Sequence, residues 1–197
     1  MKTIPLSPIE HFFTGRGAYP IEFVFAYQGT IDTGQLRSSL NEVLEHFPPL
    51  RSHLVKISDN AYGLSPAPDG LSFQAVESSL AFQDAADCSV FLDPVRSVEE
   101  EPLTRIRLTR TPAGSVLGVS ISHAVADGFS YFHFLSAWAR HFHGRDFPSP
   151  DHRREMLIPR LTEPVEPVSS DELFARSGLF RNGSREDFVK AQVKVDR

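Results

Sequence analysis

Between residues 103 and 142 the hydrophobic period of the chain changes once, from two to 3.6, and the change falls on one short turn. "LTRIRLTR" alternates apolar with polar residues, "TPAG" supplies a tight turn, and "SVLGVSISH" alternates again, with Val119 and Ile121 between Ser120 and Ser122. Alternation, turn, alternation is the pattern of a β-hairpin. After Asp127-Gly128, Phe132, Leu135, Trp138, Ala139 and Phe142 fall on one side of a helix that Gly144 ends. His123 stands in the turn, at the end of the second strand. A hairpin feeding directly into an amphipathic helix predicts a helix that folds back over a sheet.

The rest of the chain extends this pattern. Residues 21–31, "IEFVFAYQGTI", are rich in β-branched and aromatic side chains and read as a strand ended by Gly29. Leu36, Leu40, Val43, Leu44 and Phe47 then lie at helical spacing; Asp32 or Thr33 caps the start, and Pro48-Pro49 stops the helix. "SHLVKIS" is a short strand, and residues 59–72 carry enough turn formers to read as a loop or hairpin with weak strands on each side. Residues 78–101 are open between helix and irregular structure. The expected fold class is α+β: a mixed, mostly antiparallel sheet with helices packed on one face. Five prolines crowd residues 147–170, a composition that fits a linker or surface crossover. "SSDELFARSGLF" restarts a helix, and "EDFVKAQVKVDR" begins a strand. The expected organisation is therefore a half-domain over 1–146, a crossover over 147–170, and over 171–197 the start of a second half-domain or a partner-contact segment.

Composition excludes several classes of function. The chain has 197 residues, enough for one hydrophobic core. A net charge of -5 without a basic stripe argues against nucleic acid and anionic membrane as partners. A single cysteine, Cys88, excludes an internal disulfide and fits a reducing compartment. No apolar run approaches the ~20 residues of a membrane helix, and the N-terminus lacks the apolar core of a signal peptide. The expected location is cytoplasmic. His133, His141 and His143 do not converge: on a helix 133 and 141 diverge by about 80°, and 141 and 143 point nearly apart. Zinc needs convergent ligands, so no metal is expected and these read as exposed helix histidines. The 16 phenylalanines point to a large aromatic core or an apolar binding surface.

The turn itself carries the elements of proton-transfer chemistry. Histidine has a near-neutral pKa, and a strand end fixes its backbone. Asp127 can brace the turn by pairing with an arginine and accepting backbone N–H bonds, and Gly128 permits close approach. Each residue also has a plainer reading. His123 can be an ordinary turn histidine, and Asp127 sits where a helix N-cap belongs.

"HAVADG" matches the HxxxDG motif of the CoA-dependent acyltransferase superfamily, which includes the BAHD acyltransferases, peptide-synthetase condensation domains and chloramphenicol acetyltransferase. Residues 102–140, the earlier "FPPLRSHL" and "LSPIEHF" near the start resemble the N-terminal half of BAHD enzymes. The resemblance implies a chloramphenicol acetyltransferase-like half-domain and transfer of an acyl group from acyl-CoA, a co-substrate rather than a bound cofactor, to a small-molecule alcohol or amine. His123 matches the general base. Asp127 matches an aspartate that pairs with an arginine, for which Arg16 and Arg51 are candidates. Gly128 matches the glycine that leaves room beside the histidine. Ser122, Phe129 and Phe132 are candidates for lining the tunnel between two half-domains. BAHD enzymes are about twice this length and carry a DFGWG motif absent here, so a C-terminal half-domain chain or self-association is expected to complete the site. A noncatalytic binding module of the same fold is the competing class. A condensation-type domain fed by a carrier-protein thioester is a third, although Ser122 stands where such domains usually carry a second histidine.

Overall fold

The computed structural model describes residues 3–15, 17–59 and 61–153. Arg16 and the expectations for 154–197 lie outside the described residues, including the remainder of the crossover, the restarted helix and the final strand. Among the described residues there are seven strands: β1 (Ile4–Pro5), β2 (Pro20–Gln28), β3 (Ser52–Ser58), β4 (Ala61–Pro66), β5 (Leu71–Glu77), β6 (Thr104–Thr111) and β7 (Gly114–Ser122). The two α-helices are α1 (Thr33–Leu44) and α2 (Gly128–Phe142).

The main sheet has the order β2-β7-β6-β5. β7 runs antiparallel to both β2 and β6, whereas β5 runs parallel to β6. This is the expected mixed, mostly antiparallel α+β sheet. Both helices pack on one face, where Leu36, Leu40 and Val43 of α1 and Tyr131, Phe134 and Trp138 of α2 share a core with Ile106, Val119 and Ile121. A second sheet has the order β1-β4-β3, and the Leu103 N–H just before β6 donates to the Ser52 carbonyl of β3 at 3.4 Å. Its middle strand corrects the reading of residues 59–72, since Ala61–Pro66 is a full strand paired on both sides. β3 pairs with it as a local hairpin, but its other partner, β1, comes from the N-terminal end of the chain, and the turn formers around it concealed the strand. Residues 78–101 are irregular, with 3₁₀ turns at Phe82–Asp84 and Cys88–Phe91.

β7 is the centre of the architecture. Every residue from Ser115 to Ser122 is buried, on both faces. Leu117, Val119 and Ile121 meet the helices. On the other face, the Ser120 hydroxyl accepts the Val95 N–H at 2.9 Å and donates to Glu22 Oε1 at 3.1 Å. The serines that alternate along this strand are therefore covered by the irregular segment, and their hydroxyls satisfy polar groups that burial would otherwise strand.

The helix caps follow local rules. Asp32 rather than Thr33 caps α1, accepting the Gln35 N–H at 2.7 Å. The buried face of α2 keeps Trp138 of the expected one, with Leu135 and Phe142 packed against the core, and differs from it in the rest. Tyr131, Phe134, Ala137 and Trp138 are buried, whereas Phe132 and Ala139 are exposed. Both large inward rings find acceptors: Tyr131 Oη donates to the Val119 carbonyl at 3.0 Å and Trp138 Nε1 to Ser39 Oγ at 3.0 Å. Large rings with a polar tip can face the core when the tip finds an acceptor. No described helix is long and apolar enough to cross a membrane.

Candidate active site

His123 is the first residue after β7, and hydrogen bonds fix the turn on both sides of it. The Val125 N–H donates to the Ser122 carbonyl at 3.1 Å, and the Ala124 N–H to Ser122 Oγ, also at 3.1 Å. At the far side Asp127 caps α2, with Oδ1 accepting the Ser130 N–H at 2.8 Å. The Asp127 carboxyl is held below its ordinary value, first by this backbone N–H, then by the Ser130 side chain, and least by the nearby His123.

The ring of His123 is half-buried and lies almost flat against Phe13, with centroids 4.2 Å apart and planes 16° apart. Phe13 closes a 3₁₀ turn, Glu10–Phe13, that is pinned at several points. The Ser7 N–H donates to Glu10 Oε2 at 2.6 Å. His11 Nε2 accepts the Tyr62 N–H at 3.0 Å, and because an amide can only donate, the proton of that ring sits on Nδ1, 2.9 Å from the Ser7 carbonyl. Beyond the turn, the Gly15 N–H donates to the Ser97 carbonyl at 2.7 Å.

The other expected site residues fall in different places. Ser122 is fully buried, its hydroxyl 2.7 Å from Ser97 Oγ, so it holds the strand end instead of lining open space. Arg51 does not pair with Asp127: its guanidinium binds Glu45, at the far end of α1. Arg16 lies outside the described residues. Gly128 is exposed, and a Cβ built on it would meet nothing within 4 Å. Phe129 is 81% exposed and Phe132 46%, both on the first turns of α2. Phe132 meets Phe23 of β2 edge-on at 5.0 Å.

The helix histidines also separate. His143 is exposed, but His141 pairs with Glu42 at 3.0 Å. His133 is half-buried between Phe47 and Phe129, at 5.7 and 6.1 Å, so the exposed reading fails for it. Among the described residues no three His, Cys, Asp or Glu side chains form a metal-binding group. A cavity of about 360 Å³ lies between the length of α1 and the C-terminal end of α2, lined by Gln35, Ser39, Glu42 and His141 among others, and not by His123.

Sequence reasoning missed Phe13, His11 and Ser97. Residue type alone signals none of them, since each acts through a contact made only in the folded chain.

Three comparisons bear on this geometry. The model of the Transferase family matches residues 10–192. A hydroxycinnamoyl-CoA:piscidic acid hydroxycinnamoyltransferase of Actaea racemosa is 28% identical over 132 residues, covering 59% of this chain and 30% of its own length. A phenolic glucoside malonyltransferase of Bemisia tabaci is 33% identical over 138 residues, covering 64% of this chain and 29% of its own. The chain thus spans about a third of the curated relatives it matches. In fold it is similar to vinorine synthase, with a TM-score of 0.63 at 20% identity, over 83% of this chain and 44% of that one.

Proposed function

From the premise that the chain belongs to the Transferase family, the BAHD-type acyltransferases, we propose that it carries the base-bearing half of an enzyme that moves an acyl group from acyl-CoA to an alcohol or amine. His123 is the general base. It removes the acceptor proton as oxygen or nitrogen attacks the thioester carbonyl, and the imidazolium returns that proton to the CoA sulfur as the C–S bond breaks. The acyl group passes directly between substrates, so Cys88 has no covalent role.

The observation that carries the reading is the turn holding His123. Strand hydrogen bonds fix the ring's backbone on one side and the Asp127 cap fixes it on the other, while the space at Gly128 stays open. Asp127 thereby braces the loop through the helix N-terminus. Phe129 and Phe132, exposed beside that space, form one wall of a tunnel between half-domains. Residues 1–146 make one half-domain, 147–170 cross over, and a second half-domain, in the same polypeptide or from a second copy, supplies the other wall. An acyl-CoA donor accords with the donor named for the Actaea relative, and the cytoplasm is the compartment that goes with it.

The test is release of free CoA thiol from a panel of acyl-CoAs with phenolic and amine acceptors, using the chain together with its second half-domain. His123→Ala lowers acceptor-dependent turnover by about 10²–10⁴, the usual contribution of a general base. Turnover unchanged by that substitution overturns the assignment.

A further inference from the structure

We infer that Phe13 is a positioning residue for His123, a π face that orients the imidazole and stabilises the imidazolium formed during transfer; this rests on His123 acting as the base. The stack is nearly parallel at 4.2 Å. In that arrangement Phe13 covers one face of the imidazole and leaves both ring nitrogens at the edge, clear of it. Rotation about the Cβ–Cγ bond would drive the imidazole edge into the phenyl ring, so the stack selects one ring plane. A cation within about 6 Å of an aromatic centroid is attracted by the ring quadrupole, and the imidazole is neutral before it takes the acceptor's proton and cationic after. The attraction therefore grows along the reaction, which is the condition for a contact to speed the step. Proton balance is unchanged: the acceptor's proton moves to His123 as the new C–O or C–N bond forms, then to the CoA sulfur as C–S breaks.

The mounting of Phe13 separates this role from incidental packing. On one side its 3₁₀ turn is tied to β4 through the His11 ring, which takes the Tyr62 N–H. On the other, Gly15 binds the Ser97 carbonyl, and Ser97 Oγ meets Ser122 Oγ, the hydroxyl that also accepts the Ala124 N–H. Phe13 and His123 thus hang from one hydrogen-bonded chain, and both Ser97 and Ser122 are buried. The N-terminal turn and the strand end are held in register with each other as well as with the sheet.

Two measurements on the full chain test this. In the wild type, nuclear Overhauser contacts link the ring protons of Phe13 and His123, and ring current moves the His123 ring protons upfield. Phe13→Leu, which keeps bulk but removes the π face, abolishes the upfield shift, whereas Phe13→Tyr keeps it. In the thiol-release assay Phe13→Leu lowers kcat by about 2- to 30-fold, the range of a cation–π contact, with little change in KM, and Phe13→Tyr restores the rate. In a His123→Ala background Phe13→Leu has no further effect. Absence of the wild-type contacts overturns the stack without any need for a foldable variant, and His123 ring protons at the same shift in a folded Leu variant overturn it as well. A rate that requires His123 but ignores Phe13→Leu overturns positioning alone. A rate indifferent to His123→Ala overturns the acyl-transfer reading, and the positioning role with it.

Discussion

Gly118→Ala tests the packing that underlies the site. Gly118 lies at the middle of β7, paired with Val24 on one side and Arg107 on the other. A Cβ there would stand 2.1 Å from the Phe91 carbonyl oxygen, 3.0 Å from its carbon and 3.3 Å from Leu92 Cα. All three atoms are backbone, so no rotamer change relieves the clash, and the segment must lift by roughly 1 Å to regain contact distance. Lifting strains a well-packed layer, at about 1–3 kcal/mol. If the segment leaves altogether, Phe91 and Leu92, 1% and 8% exposed, lose their burial, which sets a ceiling of about 3–6 kcal/mol. Replacing a strand glycine returns about 0.5–1 kcal/mol through the unfolded chain. The net expectation is a loss of about 1 kcal/mol from mid-range strain and about 2.5 kcal/mol from strain at its upper end, with more if the segment leaves. Urea unfolding followed by the fluorescence of Trp138, the only tryptophan, reads this as a lower midpoint at unchanged m. In heat it is a drop in Tm of roughly 2–10 °C for a chain of this size. Gly128→Ala is the control: its Cβ meets nothing, so stability stays level or rises by about 0.4–1 kcal/mol. A Gly118→Ala chain within 0.5 kcal/mol of the wild type would refute the account of the covered sheet.

Tyr131→Phe removes the buried hydroxyl that serves the Val119 carbonyl and lowers stability by about 1–3 kcal/mol in urea titration. Burial pushes the Tyr131 phenol far above its ordinary 10.0, so the unfolded chain releases this proton first. Stability is full below pH 10 and falls as pH rises beyond it, and Tyr131→Phe flattens that alkaline loss. Asp127→Ala lowers stability by about 1 kcal/mol through loss of the α2 cap, whereas Asp127→Asn keeps the cap. Because the folded carboxyl is held below its ordinary 3.8, the cap contributes fully above that value and fades as pH falls through the lower folded value, an acid dependence that Asp127→Asn removes in stability curves. Finally, Phe23, Phe129 and Phe132 leave apolar surface exposed along β2 and α2, so light scattering on the isolated 1–197 chain reads an associated species, and a stable monomer with full activity contradicts the half-domain proposal.

What the sequence determined by itself is what neighbours along the chain decide. The strand-to-helix switch, the hairpin from Thr104 to Ser122, the start of α1 at Asp32 or Thr33 and the Asp127 cap rest on hydrogen bonds and periodicities within a few residues, and "HAVADG" is legible as it stands. Only the tertiary structure decided what depends on distant partners. Tyr131, outside the apolar stripe read from the periodicity, turns inward and donates its hydroxyl to the Val119 carbonyl. Ser120 is buried because the backbone of Val95 needs its hydroxyl. Strand β4 is paired on its far side by β1, from the N-terminal end of the chain, despite a composition that reads as turn. The ring of His123 meets Phe13 through a turn pinned by contacts that no local pattern encodes. Periodicity reports that a side chain faces something; which partner it faces is set when the layers close and every buried polar tip must find its acceptor.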